Sequence, residues 1–461
     1  MTTVMRSSLA TSLARYRRSW GLWLLLLIAP IGARYMLPID GTGVIIAIGN
    51  QLPEMTSPFL GVSLGIVVST LMLPIAWLYL RSNTTRRQPW QIEEITPASR
   101  VAIALGRFGA DVLVLLAMLA ALTVAGWFLG WLLVPPRPFN LAEIAFALWL
   151  VAAPALMGLA ALRVLFDARP LLRSGFGDFL YFVLWIASIA VPAATQGQSP
   201  SFATNMVDFA GFVTPLQYGA PGEPGDFAIG GADVEPGHVQ LDVMAGLLSP
   251  GYIASRWAWA AIAVAIAALA GLIYRPHLTR RRRGKPGRLT TWLAAGPPPR
   301  AIADAPPARR ASLAWLNLVG AEFKLIGSGR AFWLLAASIA VASALVDFRH
   351  MASPAALLLL AFALSAHAGR SEARGLLRLT KTAPFAPMAR RAAFVAAGAG
   401  WTTLLALPAL VRAPALDTLG LAVGTGAAAA LIASALASVS GSAFAPRLVL
   451  LVLWYGYFSA P

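Results

Sequence analysis

The chain has 461 residues, 58% of them hydrophobic and 12% charged, and its mean hydropathy of +0.70 excludes a water-soluble globule, which could not bury that much apolar surface. The formal net charge is +17, but the Lys and Arg residues flank the apolar segments, where they orient helices and meet anionic lipid, so the charge does not indicate a nucleic-acid partner. The absence of cysteine excludes disulfides, thiolate metal sites and cysteine nucleophiles.

The first twenty residues predict an amphipathic helix that lies on the cytoplasmic surface. Leu9, Leu13, Tyr16 and Trp20 recur at helical spacing, and the opposite side carries Arg6, Arg15, Arg17 and Arg18. The alternative is a signal peptide whose apolar region is Gly21–Ile31. We favour the surface helix because a protein with many spans can use its own first span as the insertion signal.

Apolar segments of about the length that a bilayer core requires then follow along the chain. The first half contains six, near Trp20–Leu37, Pro58–Leu80, Val101–Val134, Leu141–Phe166, Phe179–Ala194 and Ala254–Tyr274. The second half contains five, near Ala331–Val346, Pro354–Ala368, Ala392–Val411, Leu419–Val439 and Leu448–Ser459. Basic alternate connections predict a cytoplasmic N-terminus, and the odd total would leave the C-terminus outside. A twelfth span, or one short run that is re-entrant, remains open.

Two connections differ sharply in charge. Thr195–Ser255 has acidic residues and no Lys or Arg, so it is predicted to be extracytoplasmic, with short helices near Phe202–Phe212 and Val239–Leu248. Its carboxylates lack the spacing of a calcium loop, which favours a solvated acidic face. Arg275–Arg310 carries ten basic residues and one acidic residue. It is predicted to be a cytoplasmic linker that contacts membrane lipids and divides the chain into residues 1–274 and 311–461.

A charged island, Arg81–Arg107, separates the second and third apolar segments. Within it Trp90–Ile95 precede Pro97, which predicts a short interfacial helix followed by a corner. A related basic stretch, Arg370–Arg391, runs into Pro384 and Pro387. Each half also begins with a surface helix, since Leu316, Val319, Phe323 and Ile326 repeat at helical spacing. The sequence therefore predicts two similar helical bundles.

The sequence offers no catalytic motif in a suitable context. There is no phosphate-binding G-x-x-x-x-G-K-[ST] loop, so we do not expect nucleotide binding by this chain. Gly61-Val62-Ser63-Leu64-Gly65 matches G-x-S-x-G but lies inside the second apolar segment and not between a strand and a helix, so we do not expect enzymatic activity either. The four histidines lack metal-ligand spacing, and no cofactor or metal is expected. Asp111 is the one carboxylate that we place well inside a span, one turn beyond Arg107, where it is solvated or paired. That scarcity disfavours an ion-coupled carrier.

The order of these parts, with Ile92-Glu93-Glu94-Ile95-Thr96-Pro97-Ala98-Ser99-Arg100 ahead of the third span, resembles the permease of a type-2 ABC exporter. The resemblance implies an all-α protein of the plasma (inner) membrane, with about eleven transmembrane helices in two fused permease halves. It also implies a separate ATPase subunit, in two copies, that carries the ATP and Mg²⁺. Coupling to that subunit would involve Glu93, Glu94, Pro97, Arg100, Glu372 and Pro384.

The sequence departs from the family pattern in one place, and other classes of membrane protein also fit it. The second corner lacks the acidic pair, which puts its coupling role in doubt. The alternatives to a permease are a secondary transporter, or a membrane-embedded enzyme or scaffold without an ATPase partner. The small-residue runs Ala392–Gly400 and Gly424–Ser440 fit a moving interface between two bundles and fit static helix packing equally well.

Overall fold

The computed structural model describes most of the chain and divides it into two compact units. The units are Met1–Arg281 with the terminal Ser459–Pro461, and Arg282–Phe458. The described residues are 2–37, 46–85, 97–134, 139–169, 172, 175–193, 199–219, 227–230, 235, 237–274, 314–345, 348–368, 387–441 and 444–458.

Helices make up most of unit 1. The long ones are α1 (Thr2–Arg17), α2 (Trp20–Tyr35), α3 (Ser57–Val67), α4 (Leu73–Thr85), α5 (Arg100–Leu133), α6 (Leu141–Asp167), α7 (Gly175–Ala193) and α11 (Tyr252–Leu272). Three short helices, α8 (Phe202–Val207), α9 (Val213–Tyr218) and α10 (Val243–Leu247), lie in the connection before α11. α8 and α10 lie where short helices were predicted, and α9 was not predicted.

Unit 2 contains six helices among its described residues. They are α12 (Ala314–Ile326), α13 (Arg330–Leu345), α14 (Ser353–His367), α15 (Pro387–Arg412), α16 (Leu416–Ser440) and α17 (Phe444–Phe458). α15 and α16 pack closely because small residues face each other. A Cβ on Gly398 would come within 2.6 Å of Ala430 Cβ, and one on Gly426 would overlap Thr402 Oγ1. The small-residue runs therefore serve helix packing within this unit.

Among the described residues, six helices are long and apolar enough to cross a membrane by length and composition. They are Ser57–Arg81, Arg100–Leu133, Leu141–Asp167, Tyr252–Leu272, Pro387–Arg412 and Leu416–Ser440. Five further apolar helices have only 10 to 17 residues: Gly21–Tyr35, Leu180–Pro192, Phe332–Leu345, Ser353–His367 and Phe444–Trp454. The prediction of a helical membrane protein is confirmed, and the total of about eleven spans stays a prediction.

The span Ser57–Arg81 is the most buried helix of unit 1 and is interrupted by one wide turn. Pro74 has no N–H for the carbonyl of Thr70, and its ring would clash with that carbonyl in a regular α-helix. A π-helical turn over Val68–Met72 accommodates the proline by joining α3 to α4. The indole N–H of Trp185 on α7 donates to the carbonyl of Ser69 within the turn, at 2.7 Å.

Among the described residues, two small sheets link the connections at the end of unit 1 opposite the start of α5. β1 (Ile46–Ile48) pairs antiparallel with β3 (Phe227–Ile229), and β2 (Leu52–Pro53) pairs parallel with β4 (His238–Val239). The sequence analysis predicted no strands, so the all-α description is incomplete in these connections.

The prediction that the acidic connection is a solvated face is wrong for Asp208, which is buried. Its carboxylate accepts the backbone N–H groups of Gly211, Val213 and Thr214, at 2.8 to 3.2 Å. Arg256 of α11 donates to the carbonyls of Asn205 and Asp208, which fixes the loop on α11. Burial raises the pKa of Asp208 above its ordinary value of 3.8, against the opposing effects of Arg256 and the three N–H donors.

Candidate functional site

Four of the six residues predicted to couple to a partner, Glu93, Glu94, Glu372 and Pro384, lie outside the described residues. The other two mark the start of α5. Pro97 is exposed, and Arg100 is the first residue of the helix, directly after Ser99, whose hydroxyl accepts the N–H of Ala102. The guanidinium of Arg100 lies 5.7 Å from the ring centre of Tyr274, just beyond α11. The corner is therefore followed by α5, whose capped N-terminal end contacts the C-terminal end of α11.

About three turns into α5, a group of charged side chains is buried between four helices. We call Tyr16, Arg81, Asp111, Arg163 and Asp167 the buried charge cluster. They come from α1, α4, α5 and α6, and each is at most 8% exposed. Charged residues are almost never this buried unless they are paired, because the loss of hydration is costly.

Asp111 is at the centre of the cluster and is bonded through both carboxylate oxygens. The hydroxyl of Tyr16 donates to Oδ1 at 2.5 Å, and Nη1 of Arg163 donates to Oδ2 at 2.6 Å. Both are charge-assisted hydrogen bonds, which are short and about twice as strong as neutral ones. The carboxylate thus connects the last turn of α1 to α6 through α5. The expectation that Asp111 is either solvated or paired is resolved in favour of pairing.

Arg163 and Asp167 extend the cluster toward α4. They lie four residues apart near the end of α6, with Arg163 Nε 3.5 Å from Asp167 Oδ2. On the other side of Asp167, Arg81 Nη1 donates to Oδ1 at 3.2 Å. Arg81 also donates through Nη2 to the carbonyl of Leu172 at 2.6 Å, so it connects α4 to the segment after α6. The four charges alternate in sign from Asp111 to Arg81.

The surface helix α1 docks on α5 through a face that shares only Tyr16 with the predicted apolar stripe. Its buried residues are Ser8, Ser12 and Tyr16, and α1 ends at Arg17, so Trp20 belongs to the next helix. A Cβ at Gly106 would come within 2.8 Å of Ser8 Cβ, and the hydroxyl of Ser8 donates to the carbonyl of Ile103 at 3.2 Å. Small residues let the two backbones approach, as in membrane helix pairs. The contact puts Tyr16 within reach of Asp111.

The electrostatics of the cluster favour a fixed connection between helices. Burial, with the negative charge of Asp111, raises the pKa of Tyr16 well above its ordinary value of 10, so the hydroxyl remains a donor at physiological pH. Both carboxylates have an arginine partner. Removing one member of a buried pair leaves an uncompensated charge and costs about 3–5 kcal/mol. The arrangement therefore ties α1, α4, α5 and α6 together at one end of unit 1.

Sequence reasoning identified Asp111 but missed its partners. The sequence analysis does not single out Arg163, and it names Arg81 only as the first residue of the charged island. One local signal was present, because an arginine and an aspartate four residues apart in an apolar helix predict an ion pair. No local signal connects Asp111 to Arg163, which is 52 residues away.

No group of three or more His, Cys, Asp or Glu side chains within the described part of the chain could hold a metal ion. Comparison with protein-family models, with curated protein sequences and with solved structures finds no match to this chain.

Proposed function

We propose that the chain is the membrane permease of a type-2 ABC exporter, driven by a separate ATPase subunit that docks on its charged corner. The observation that carries the proposal is the surface helix α1, fixed to the third apolar segment by the buried charge cluster directly behind the corner. This is the arrangement that a permease needs if a movement at its cytoplasmic end is to reach several helices.

The length of α5 supports a role in force transmission. Its 34 residues span about 51 Å at the usual rise of an α-helix, against a hydrocarbon core of about 30 Å. The helix therefore projects beyond the bilayer, and its first turn follows the corner at Pro97 without a break. Because α5 is one continuous helix, a displacement of its first turn would move the whole helix as a rigid body. The movement would pass through Asp111 to α1 and α6, and through Asp167 to α4.

Unit 2 has features that parallel those of unit 1, which supports two permease halves in one chain. Its surface helix α12 also docks on the third apolar helix, α15. Phe323 stacks on Trp401 with ring centres 4.3 Å apart, and the indole N–H of Trp401 donates to the carbonyl of Phe323 at 2.9 Å. An aromatic contact thus takes the place that the ion pairs hold in unit 1.

A second parallel concerns the π turns. In unit 2 a π turn over Phe348–Ala352 precedes Pro354, as the turn over Val68–Met72 precedes Pro74 in unit 1. In unit 2 the indole N–H of Trp454 donates to the carbonyl of Pro354 at 2.8 Å, as Trp185 donates to Ser69 in unit 1. In unit 2 the hydroxyl of Tyr457 also donates to the carbonyl of Arg349 within the turn, at 3.1 Å. Wide turns of this kind are places where a helix can bend.

The mechanism that follows is alternating access powered from outside the chain. ATP binding closes the partner ATPases, the corners at Glu93–Arg100 and Leu377–Arg391 are displaced, and the two units rock to open a path for the exported molecule. ATP and Mg²⁺ stay on the partner, and the permease itself performs no hydrolysis. Its location would be the cytoplasmic membrane, with the N-terminus inside.

The test is co-purification with the ATPase encoded nearest to this chain. In Glu93→Lys/Glu94→Lys, like charges would face a basic groove of the ATPase, which can cost several kcal/mol. We expect ATPase recovery and export to fall in this variant while insertion is unchanged. A control, Ala10→Lys/Ala14→Lys, adds two lysines to the exposed side of α1 and should retain both. Equal recovery with the double Glu variant and the wild type refutes the coupling role.

A second candidate is a proton-coupled carrier, which the burial of Asp111 and Asp167 in apolar helices favours. A carrier would take up a proton on Asp111 upon acidification, in the absence of any ATPase. Proton uptake by the purified protein should then disappear in Asp111→Asn. If uptake is the same in both proteins, and ATPase binding persists, the permease is retained and the carrier is refuted.

A further inference from the structure

The junction between the acidic connection and α11 has its polar side chains buried and large apolar ones exposed. Asn205, Asp208 and Arg256 are at most 2% exposed, whereas Phe202 is 49% exposed and Leu248 is 58% exposed. A loop that faces water does the opposite, because its charged groups keep their hydration and its apolar groups pack inward. The inverted arrangement indicates that this part of the connection faces an apolar medium.

The buried polar groups of the junction are bonded to one another, so the junction needs no water. Arg256 Nη2 donates to the carbonyls of Asn205 and Asp208, at 2.6 and 2.5 Å. The hydroxyl of Tyr252 donates to the carbonyl of Gly211. The carboxylate of Asp208 accepts three backbone N–H groups, as described above. Irregular backbone at the depth of a membrane is tolerated only when its polar groups are satisfied inside the protein, and this backbone meets that condition.

The exposed apolar side chains of the junction gather around one glycine. Gly251 has φ +78°, and a Cβ there would come within 2.5 Å of the backbone N of Phe202, so α8 begins directly against it. Leu248 and Ile253 are three and two residues from Gly251 in the chain. Trp257, which is 72% exposed, follows one turn after Ile253. We call Phe202, Leu248, Ile253 and Trp257 the apolar rim.

The apolar rim continues into the exposed face of a candidate span. Ile253, Trp257 and Val264 are separated by four and seven residues, so they lie on one side of α11, and all three are exposed. The 21 residues of α11 extend about 31 Å, against a hydrocarbon core of about 30 Å. A span without surplus length has its first turn at the membrane boundary. The indole N–H of Trp259, about two turns into α11, donates to the carbonyl of Met206 at 3.2 Å, so the end of α8 lies below that boundary.

We infer that the apolar rim anchors the acidic connection in the bilayer, at the boundary between the headgroups and the acyl chains. The leaflet is the one away from the charged corner, because α11 ends beside the start of α5, where a Cβ on Gly271 would come within 2.6 Å of Val101 Cα. Tryptophan is enriched at this boundary, and apolar side chains bind there by area. The connection has no Lys or Arg between residues 195 and 255, so the anchor requires no anionic lipid. The inference holds whether or not the chain is an exporter.

The test places a polarity-sensitive fluorophore on the rim of the full chain, reconstituted in phosphatidylcholine vesicles. The natural chain has no cysteine, so Leu248→Cys and Trp257→Cys each give one site for an NBD label, and both positions are exposed and should tolerate the change. We expect both labels to emit at shorter wavelength than in water and to be quenched by doxyl-labelled lipid. A doxyl group near the headgroup should quench the label at Leu248→Cys more, and one deeper in the acyl chain the label at Trp257→Cys.

Ala228→Cys, an exposed position on β3, is the matched control. Its label should emit as in water and be quenched by iodide in the medium and not by doxyl lipid. Adding phosphatidylglycerol to the vesicles should change none of the three signals. Iodide quenching at Leu248→Cys equal to that of the control overturns the inference, because the rim would then face water. Protection from both quenchers overturns it as well, since protein would cover the rim, and so does lipid quenching that appears only with phosphatidylglycerol.

Discussion

Neutralising Asp111 is the sharpest test of how unit 1 is held together. Asp111→Asn keeps the shape of the side chain but removes the charge that faces Arg163 at 2.6 Å. Arg163 then keeps only Asp167, at the longer distance of 3.5 Å. Removing one partner of a buried ion pair costs about 3–5 kcal/mol, so the free energy of unfolding should fall by about that amount. The reverse variant, Arg163→Gln, should lose a similar amount.

The double variant Asp111→Asn/Arg163→Gln tests whether the two side chains act as a pair. With neither charge buried, its loss should be smaller than the sum of the single losses, by about 2–3 kcal/mol. The measurement is equilibrium unfolding of the purified chain in mixed detergent, followed by the fluorescence of its 15 tryptophans. Asp111→Asn combined with Arg6→Gln, an exposed and distant arginine, is the control and should be additive.

The same variants should release α1 before the rest of unit 1 unfolds. Ser12 is buried against α5, and the natural chain has no cysteine, so Ser12→Cys introduces a single thiol. Its rate of modification should be low in the wild-type background and higher with Asp111→Asn. Losses that add within about 0.5 kcal/mol, together with an unchanged rate at Ser12→Cys, would refute the ion-pair account.

Three other outcomes are expected. Because the pKa of Tyr16 is raised in the folded state, its stabilising contribution is complete below about pH 10 and is lost as the pH rises through the folded value, so the stability difference between wild type and Tyr16→Phe should shrink in alkaline titrations. Trp185→Phe should cost about 1–3 kcal/mol by removing the donor to the π turn, whereas Trp257→Phe, which is exposed, should cost less than about 0.5 in the same unfolding assay. An impermeant thiol reagent on intact cells should label Ala228→Cys and not Ala10→Cys, both exposed positions; the reverse pattern contradicts the predicted orientation.

The positions of the apolar helices could be predicted from sequence because a bilayer imposes a minimum length on any span. Runs such as Val101–Val134 satisfy that length with no competing assignment. The strands could not be predicted. β1 and β2 are three and two residues long, and their partners β3 and β4 are about 180 residues away in the chain. Such short segments form strands only because the connections meet, which is a property of the packed bundle.

The candidate site was only half predictable, for a related reason. A charged residue at the end of an apolar segment can either orient the span in the membrane or form an ion pair between helices. The local sequence of Arg163 fits both roles. Burial decides between them, and burial depends on α1 covering α5. The helical pattern of α1 pointed to its leucines, but the face with Ser8 and Ser12 is the one that allows close approach.

The buried charge cluster has ionic side chains at positions where apolar side chains could have packed, and the geometry of its ion pairs suggests why. Apolar residues of similar volume often stabilise a core as well as a buried ion pair does, so the pairs are weak evidence for stability alone. Their distinctive property is that they are satisfied in one register only. A shift of α1 by one turn, about 5.4 Å, would separate Tyr16 from Asp111 and leave the carboxylate with a single donor. In the proposed permease, which would be moved from its cytoplasmic end, a surface helix locked in register would carry displacement to α5 without slipping.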